Sequence, residues 1–376
     1  MRRILVGLLV VVAAVLAYLL VWPVPVQAVA WTVQPSPGYT GPHAANTRLS
    51  SLETLDLGSH KGPEHIVLRH GWLYIAVESG AILRMRPDGS GREVLVQTGG
   101  RPLGFDFDAD GALIIADPMA GAHGGLYRAT GTGAHTRVEL LTDQVNGSPI
   151  VYADGVVVAR SGKIYFTDAS QRFGAKAWGG TFAASVLDIL EQRATGRLLE
   201  YDPATRTTRV LLGDLSFPNG VALSADEQHL FVAETGAYRI WKVSTGAADV
   251  SAKAPKATAS ILMDNLPGYP DNLMRGQNGR MWVGLVKPRG AFIDNAAGKP
   301  WLRELSLRLP KALWPVPPAY GHVIAFDESG QVLLDLQDPS GAYPETTAVT
   351  ESDDRLYIQS LHAGSLGWLD KKKAGL

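Results

Sequence analysis

Phe217-Pro218-Asn219-Gly220-Val221-Ala222-Leu223-Ser224, taken with the twenty residues after it, decides the fold of this chain. The short β-prone run at 219–223 gives way to a turn and then to His229-Leu230-Phe231-Val232-Ala233-Glu234, rich in aromatic and β-branched residues. After another break comes Tyr238-Arg239-Ile240-Trp241-Lys242. Short strand-forming runs separated by turn residues read as a small antiparallel meander.

The unit recurs. Working towards the N-terminus it returns as Asp154-Gly155-Val156-Val157-Val158 with Lys163-Ile164-Tyr165-Phe166-Thr167-Asp168, and as Leu103-Gly104-Phe105-Asp106-Phe107 with Ala112-Leu113-Ile114-Ile115-Ala116-Asp117. The first copy is Glu64-His65-Ile66-Val67-Leu68 with Trp72-Leu73-Tyr74-Ile75-Ala76. Towards the C-terminus, Asp271-Asn272-Leu273-Met274 pairs with Met281-Trp282-Val283-Gly284, and Thr346-Thr347-Ala348-Val349 with Arg355-Leu356-Tyr357-Ile358. Small meanders repeating at spacings of roughly 40 to 75 residues are the signature of a propeller, because one such sheet cannot bury both of its faces alone. Six copies predict an all-β, six-bladed β-propeller over 49–376. The segment 49–57 is expected to add an outer strand to the last blade and close the ring. Two stretches break the pattern. Residues 184–191 have a helical period and read as an insertion capping one face of blade three, and the Pro-rich 287–320 reads as a second insertion in blade five.

Composition agrees. Hydrophobic residues make up 46% of the 376 and charged residues 19%, enough for a sizeable core, while 41 Gly and 23 Pro suit short strands and many turns. The net charge of -1 removes any electrostatic reason to expect nucleic acid, and Lys371-Lys372-Lys373 reads as a solvated tail. There is no cysteine, which excludes disulfides, thiolate metal sites and cysteine nucleophiles.

At the N-terminus, Arg2 and Arg3 precede an uncharged apolar run from Ile4 to Trp22, closed by Pro23 and Pro25. At about 1.5 Å per residue the run comes close to the roughly 30 Å of a bilayer core. Residues 1–28 therefore read as a single-pass transmembrane helix, with the arginines cytoplasmic and the domain on the non-cytoplasmic side. A cleaved signal peptide competes, since Val26-Gln27-Ala28 places small residues as a peptidase would want them. Residues 29–48 read as an extended linker.

The first strand of each blade lines the axis, so the residue just ahead of it points to one end of the channel. Alignment of the repeats places Glu64, Leu103, Asp154, Asn219, Asp271 with Asn272, and Thr346/Thr347 there. Carboxylates and amide oxygens converging without Cys or an obligatory His suit a hard cation, Ca²⁺ before Mg²⁺ or Mn²⁺. Taken singly, each Asp or Asn equally suits a turn. The second strands run back towards the same end, which brings Asp117, Asp168, Glu234 and His362 towards the rim; His65 is expected to point into its blade. His362, titrating near neutral pH, is the first choice for a general base.

These segments also carry a family resemblance. Gly62-Pro63-Glu64, Gly100-Arg101-Pro102-Leu103-Gly104, Tyr152-Ala153-Asp154-Gly155, Thr195-Gly196-Arg197-Leu198-Leu199, Phe217-Pro218-Asn219-Gly220 and Leu266-Pro267-Gly268-Tyr269-Pro270-Asp271-Asn272 resemble the strictosidine synthase-like family. Its wider superfamily includes the gluconolactonases of the senescence marker protein 30 type and the paraoxonases. The resemblance implies an axial Ca²⁺ or related ion. Glu64, Asn219 and Asp271 match ligands of the hydrolytic members, Asp154 stands where these commonly use Asn, and Asn272 matches an additional paraoxonase ligand. Two departures stand out. The catalytic glutamate of strictosidine synthase falls at Thr347, with Glu345 two residues away on what reads as the same strand face, and the paraoxonase histidine falls at Leu103.

The expected function is metal-dependent hydrolysis of a small-molecule ester or lactone, with Asp271 or His362 activating water. The alternatives are a non-catalytic binding or scaffold propeller with a structural Ca²⁺, and a synthase-type condensation, which the missing glutamate disfavours. The sequence does not set an oligomeric state.

Overall fold

The computed structural model describes residues 2–376. Six sheets follow one another along the chain, each with four antiparallel strands; the third gains a short parallel edge strand at Val250–Ser251, and a separate two-stranded hairpin lies at 144–149. Their first strands are His65–Arg69, Gly104–Phe107, Ala153–Val158, Pro218–Leu223, Gly268–Arg275 and Thr346–Glu351. Each of these touches the first strand of the next blade, and the sixth touches the first, so they form a closed ring around an axis. Glu53–Asp56 pairs antiparallel with Ser365–Asp370, so the last blade is completed by the N-terminal end of the domain.

Burial follows position in the blade. The second strands Leu113–Asp117 and Ile164–Asp168 are buried at every residue, being covered by neighbouring blades on both faces. They accordingly read as continuous apolar runs rather than alternating ones. The fourth strands Glu93–Gln97 and Arg137–Thr142 lie at the periphery and are largely exposed.

The first strands of blades three to six carry a local irregularity at one equivalent place, between Ala153 and Val156, Pro218 and Val221, Pro270 and Leu273, and Thr346 and Val349. A bulge there bends the strand and re-aims its side chains. Glycine makes the bulges fit side by side. A Cβ on Gly155 would lie 2.6 Å from the Asn219 carbonyl oxygen, and one on Gly220 would lie 2.2 Å from the Leu273 nitrogen. Asp154-Gly155 and Asn219-Gly220 are thus close-approach motifs at the axis rather than hairpin turns.

Four helices matter for the site: α1 (Arg2–Val21), α2 (Thr181–Glu191), α3 (Ala291–Asn295) and α4 (Pro300–Leu307). Helix α1 is long and apolar enough to cross a membrane and buries nothing against the domain. Helix α2 is the insertion read at 184–191, extended by three residues, and it buries Thr181, Ala184, Leu187 and Leu190 at helical spacing. Helices α3 and α4 occupy the second insertion.

Candidate functional site

The loops leading into the first strands are held by acids at the ends of the second strands. Asp117 Oδ1 accepts from the Arg101 backbone N–H (2.9 Å), Asp168 Oδ1 from that of Tyr152 (2.9 Å), and Glu234 Oε1 from that of Ser216 (2.8 Å). Their remaining oxygens are also engaged. Asp117 takes Thr98 Oγ1, Asp168 takes the buried Arg197 guanidinium, and Glu234 takes Arg239 and the Trp241 indole. These three acids therefore brace the blades from within. The expectation that they reach the rim of the site is corrected.

The loops they brace deliver the predicted ring. Glu64, Asp154, Asn219 and Asp271 line one cavity of about 40 Å³ with Leu103, Tyr152 and His362. Asn272 stands beside them and donates its Nδ2 to the Glu64 carbonyl (3.0 Å), which leaves its Oδ1 as the free atom. All five are buried. Among the described residues, Asn219 Oδ1, Asp271 Oδ1 and Asn272 Oδ1 are buried without a hydrogen-bond partner. Burial pushes the Asp154 and Asp271 carboxyls well above the usual carboxylate range, reinforced by the neighbouring Glu64. It raises Glu64 to about 7, although Arg101 and His362 oppose it. Arg101 lies 3.4 Å from Glu64 Oε2 and is a buried cation that sequence reading passed over. Three buried carboxylates against that arginine, with orphaned oxygens between them, form a donor set of oxygens alone. That set fits a hard divalent cation, which would relieve both the repulsion and the missing partners.

Other side chains fix the frame. Thr347 Oγ1 donates to the Glu64 carbonyl (2.9 Å), and Thr167 Oγ1 to the Asn219 carbonyl (2.6 Å). Thr346 exchanges bonds with the His322 backbone and stays off the cavity. Glu345 is not on the strand face: it precedes the strand in a left-handed conformation (φ 53°). The turn sends its carboxylate to Lys287 Nζ (2.8 Å) and to His362 Nδ1. Burial works against the charged form, but those two partners win and hold Glu345 at about 2, while the same bond raises His362 above its ordinary value. His65 also departs from expectation. It lines the central channel with Val67, Phe105 and Val156 rather than entering its blade, and burial lowers it to about 4.

A second cavity of about 100 Å³ opens beside the ring, sharing Asn219 and Asp271. Its walls are apolar: Phe182, Val186 and Ile189 from α2, Phe217, Tyr269, Ile293 from α3, and Val316 from the segment after α4. The two insertions thus form a lid over the ligand-bearing end of the axis.

Comparison with known proteins agrees with this architecture. A family model described as strictosidine synthase matches residues 154–247, and one for the strictosidine synthase-like N-terminal region matches residues 41–85. Strictosidine synthase-like protein 7 of Arabidopsis thaliana is 33% identical, the match covering 86% of this chain and 83% of that protein. Adipocyte plasma membrane-associated protein of Salmo salar is 31% identical over 90% of this chain and 82% of its own length. Among solved structures, a gluconolactonase from Xanthomonas campestris superposes with a TM-score of 0.57 at 20% identity, covering 92% of this chain and 99% of that one. Regucalcin from Agrobacterium tumefaciens, described as a calcium-binding protein, gives 0.54 at 14%, covering 85% and 93%. At these identities the structural likenesses speak for the fold.

Proposed function

This chain belongs to the strictosidine synthase-like family, and from that membership we propose that its axial site binds a divalent cation, Ca²⁺ first, and hydrolyses esters or lactones. One observation carries the reading: oxygens of Glu64, Asp154, Asn219, Asp271 and Asn272, three of them orphaned, converge beside an apolar cavity. These five residues would hold the ion. When bound, it supplies Lewis-acid polarisation of a carbonyl and a charge for the developing oxyanion.

The chain's own groups do the rest. Asn219 and Asp271 line both the polar floor and the apolar cavity, and of the two Asp271 carries the carboxylate that can take a proton from a water held beside a substrate. The apolar walls exclude bulk water and receive the non-reacting part of the substrate. Glu345, fixed by Lys287, holds His362 through Nδ1, which presents Nε2 as the nitrogen for proton transfer. Because that pair favours the imidazolium, His362 accepts a proton only above its raised pKa and donates one below it. Condensation of the strictosidine type finds no support, since Thr347 is spent on the Glu64 carbonyl and Glu345 on Lys287 and His362.

We place the domain on the non-cytoplasmic side of a membrane, held by α1. Val26 is buried in the domain with Tyr152, Leu187 and Phe217, which favours a retained anchor over cleavage after Ala28. A non-catalytic propeller with a structural ion is the second reading. It is favoured by the ion's ligands coming from four different blades of a chain without cysteine. The purified full chain, assayed against aryl esters and lactones, separates the two. Turnover lost both on chelation and in Asp271→Asn, with the fold intact, supports the hydrolase. Loss of thermal stability on chelation without any turnover supports the structural ion.

A further inference from the structure

The segment that leaves α1 does not dangle. The Trp22 carbonyl accepts from Arg308 Nε (2.7 Å) just beyond α4. Gln27 N–H donates to Glu191 Oε1 (2.8 Å), Ala28 N–H to Glu304 Oε1 (3.1 Å) and Val29 N–H to the Glu191 carbonyl (2.9 Å). Glu191 ends α2 and Glu304 belongs to α4, and these two helices pack together. The tether is therefore fastened to the lid of the axial cavity and to no other face at its start.

Length then limits orientation. From Val21, the end of α1, to the buried Val26 the chain spans at most about 18 Å at 3.3–3.6 Å per residue. A propeller of this size has a radius of gyration of about 20 Å and so a diameter of roughly 50 Å. A tether that short keeps the lid at the bilayer and the opposite end of the axis away from it.

The surface chemistry of the lid fits such a neighbour. Beyond α1 and Trp22, which follows it, the large aromatic side chains left exposed are Trp178 just ahead of α2, Phe182 in its first turn, Phe292 on α3 and Trp301 on α4, among the described residues. Leu313 joins them at 63% exposed, with Trp301 at 60%. Val316 in the same insertion is exposed too, whereas Val94, Leu140, Ile261 and Leu333 stand singly on strands elsewhere. Aromatic and apolar side chains clustered on the face where an apolar helix arrives are the composition of an interfacial contact.

We infer that the lid formed by α2 and the 291–317 insertion is a membrane-contacting face, so that the apolar cavity over the ring opens at the bilayer surface and takes an amphiphile from it. The inference rests on the reading of α1 as a retained anchor and is independent of whether the ring hydrolyses anything.

The absence of cysteine makes the test clean. Single variants Trp301→Cys and Leu313→Cys on the lid, and Leu140→Cys and Ile261→Cys on peripheral strands, each carry an environment-sensitive fluorophore on the full chain. The chain is reconstituted in phosphatidylcholine–phosphatidylglycerol nanodiscs, with and without spin-labelled lipid. The lid probes are expected to emit at shorter wavelength than the peripheral probes and to be quenched several-fold more by the spin-labelled lipid. Equal, water-like emission and equal quenching at all four positions would overturn the inference. Blue-shifted emission that spin-labelled lipid fails to quench would also overturn it, by placing a second copy of the chain on the lid. Unchanged melting of the labelled variants shows that the exposed substitutions left the fold alone. Because no readout uses turnover, failure here and failure of the hydrolase reading are distinct.

Discussion

Two sets of buried acids stand at strand ends in this propeller, and they are wired in opposite ways. Asp117, Asp168 and Glu234, closing second strands, have both oxygens engaged by backbone N–H groups, hydroxyls, arginines or an indole. Glu64, Asp154 and Asp271, near the starts of first strands, sit together with their charged forms disfavoured by burial: Asp271 Oδ1 has no partner, and the Glu64 oxygens have only long contacts of 3.4 Å to Arg101 and Asn272. Residue type and burial are the same in the two sets. What differs is whether the fold supplies the partner, and that decides whether an acid braces the structure or waits for a ligand.

Removing one acid from each set tests the contrast at its largest. Asp168→Ala should cost about 3–5 kcal/mol in urea unfolding, because it leaves the buried Arg197 without its partner. Asp271→Ala, measured in chelator, should cost far less or stabilise, since it removes one of three repelling buried carboxylates. Equal losses would show that the two sets are wired alike.

Cation addition sharpens the same contrast at intermediate size. Calorimetry of the chelated full chain should show stability rising on Ca²⁺ addition, by about 2.7 kcal/mol at a hundredfold excess over the dissociation constant. Asn219→Ala should lose most of that increment. A peripheral control such as Asp56→Asn should keep it, and an equal gain in both variants would mean that the cation binds away from the ring.

The smallest expected effect concerns the pair at the mouth. The bond to Glu345 raises the His362 pKa, so its contribution to stability is full below 6.5 and is lost as pH rises through the folded value. Glu345→Gln should move the His362 titration, followed by NMR, to lower pH. The ascending limb of any rate–pH profile that depends on neutral His362 should move with it. A titration unmoved by the substitution would mean that Glu345 does not control the histidine.

The propeller was legible because blade repetition is written into local pattern: an apolar second strand and turn residues at each break, six times over. The ring was legible for the same reason, since aligning the copies superposes Glu64, Asp154, Asn219 and Asp271 just ahead of equivalent strands. The role of Asp168 was not, because its partners Tyr152 and Arg197 lie 16 and 29 residues away. Glu345 was misread because one left-handed residue turns the carboxylate off the strand, which no alternation rule foresees. Arg101 gave only a weak signal, a charged residue inside the Gly100-Arg101-Pro102 turn.

By itself, the sequence determined the six blades, their closure near the N-terminus, the apolar leading helix and which residues gather at one end of the axial strands. These properties depend on local periodicity and turn chemistry, and neighbouring residues are enough to express them. Only the tertiary structure decided which acids are satisfied, that Glu345 and Lys287 hold His362, and that the tether is fastened to the lid. Each of these is a contact between side chains far apart in the chain. The closed ring brings them together, and no local rule records that they will meet.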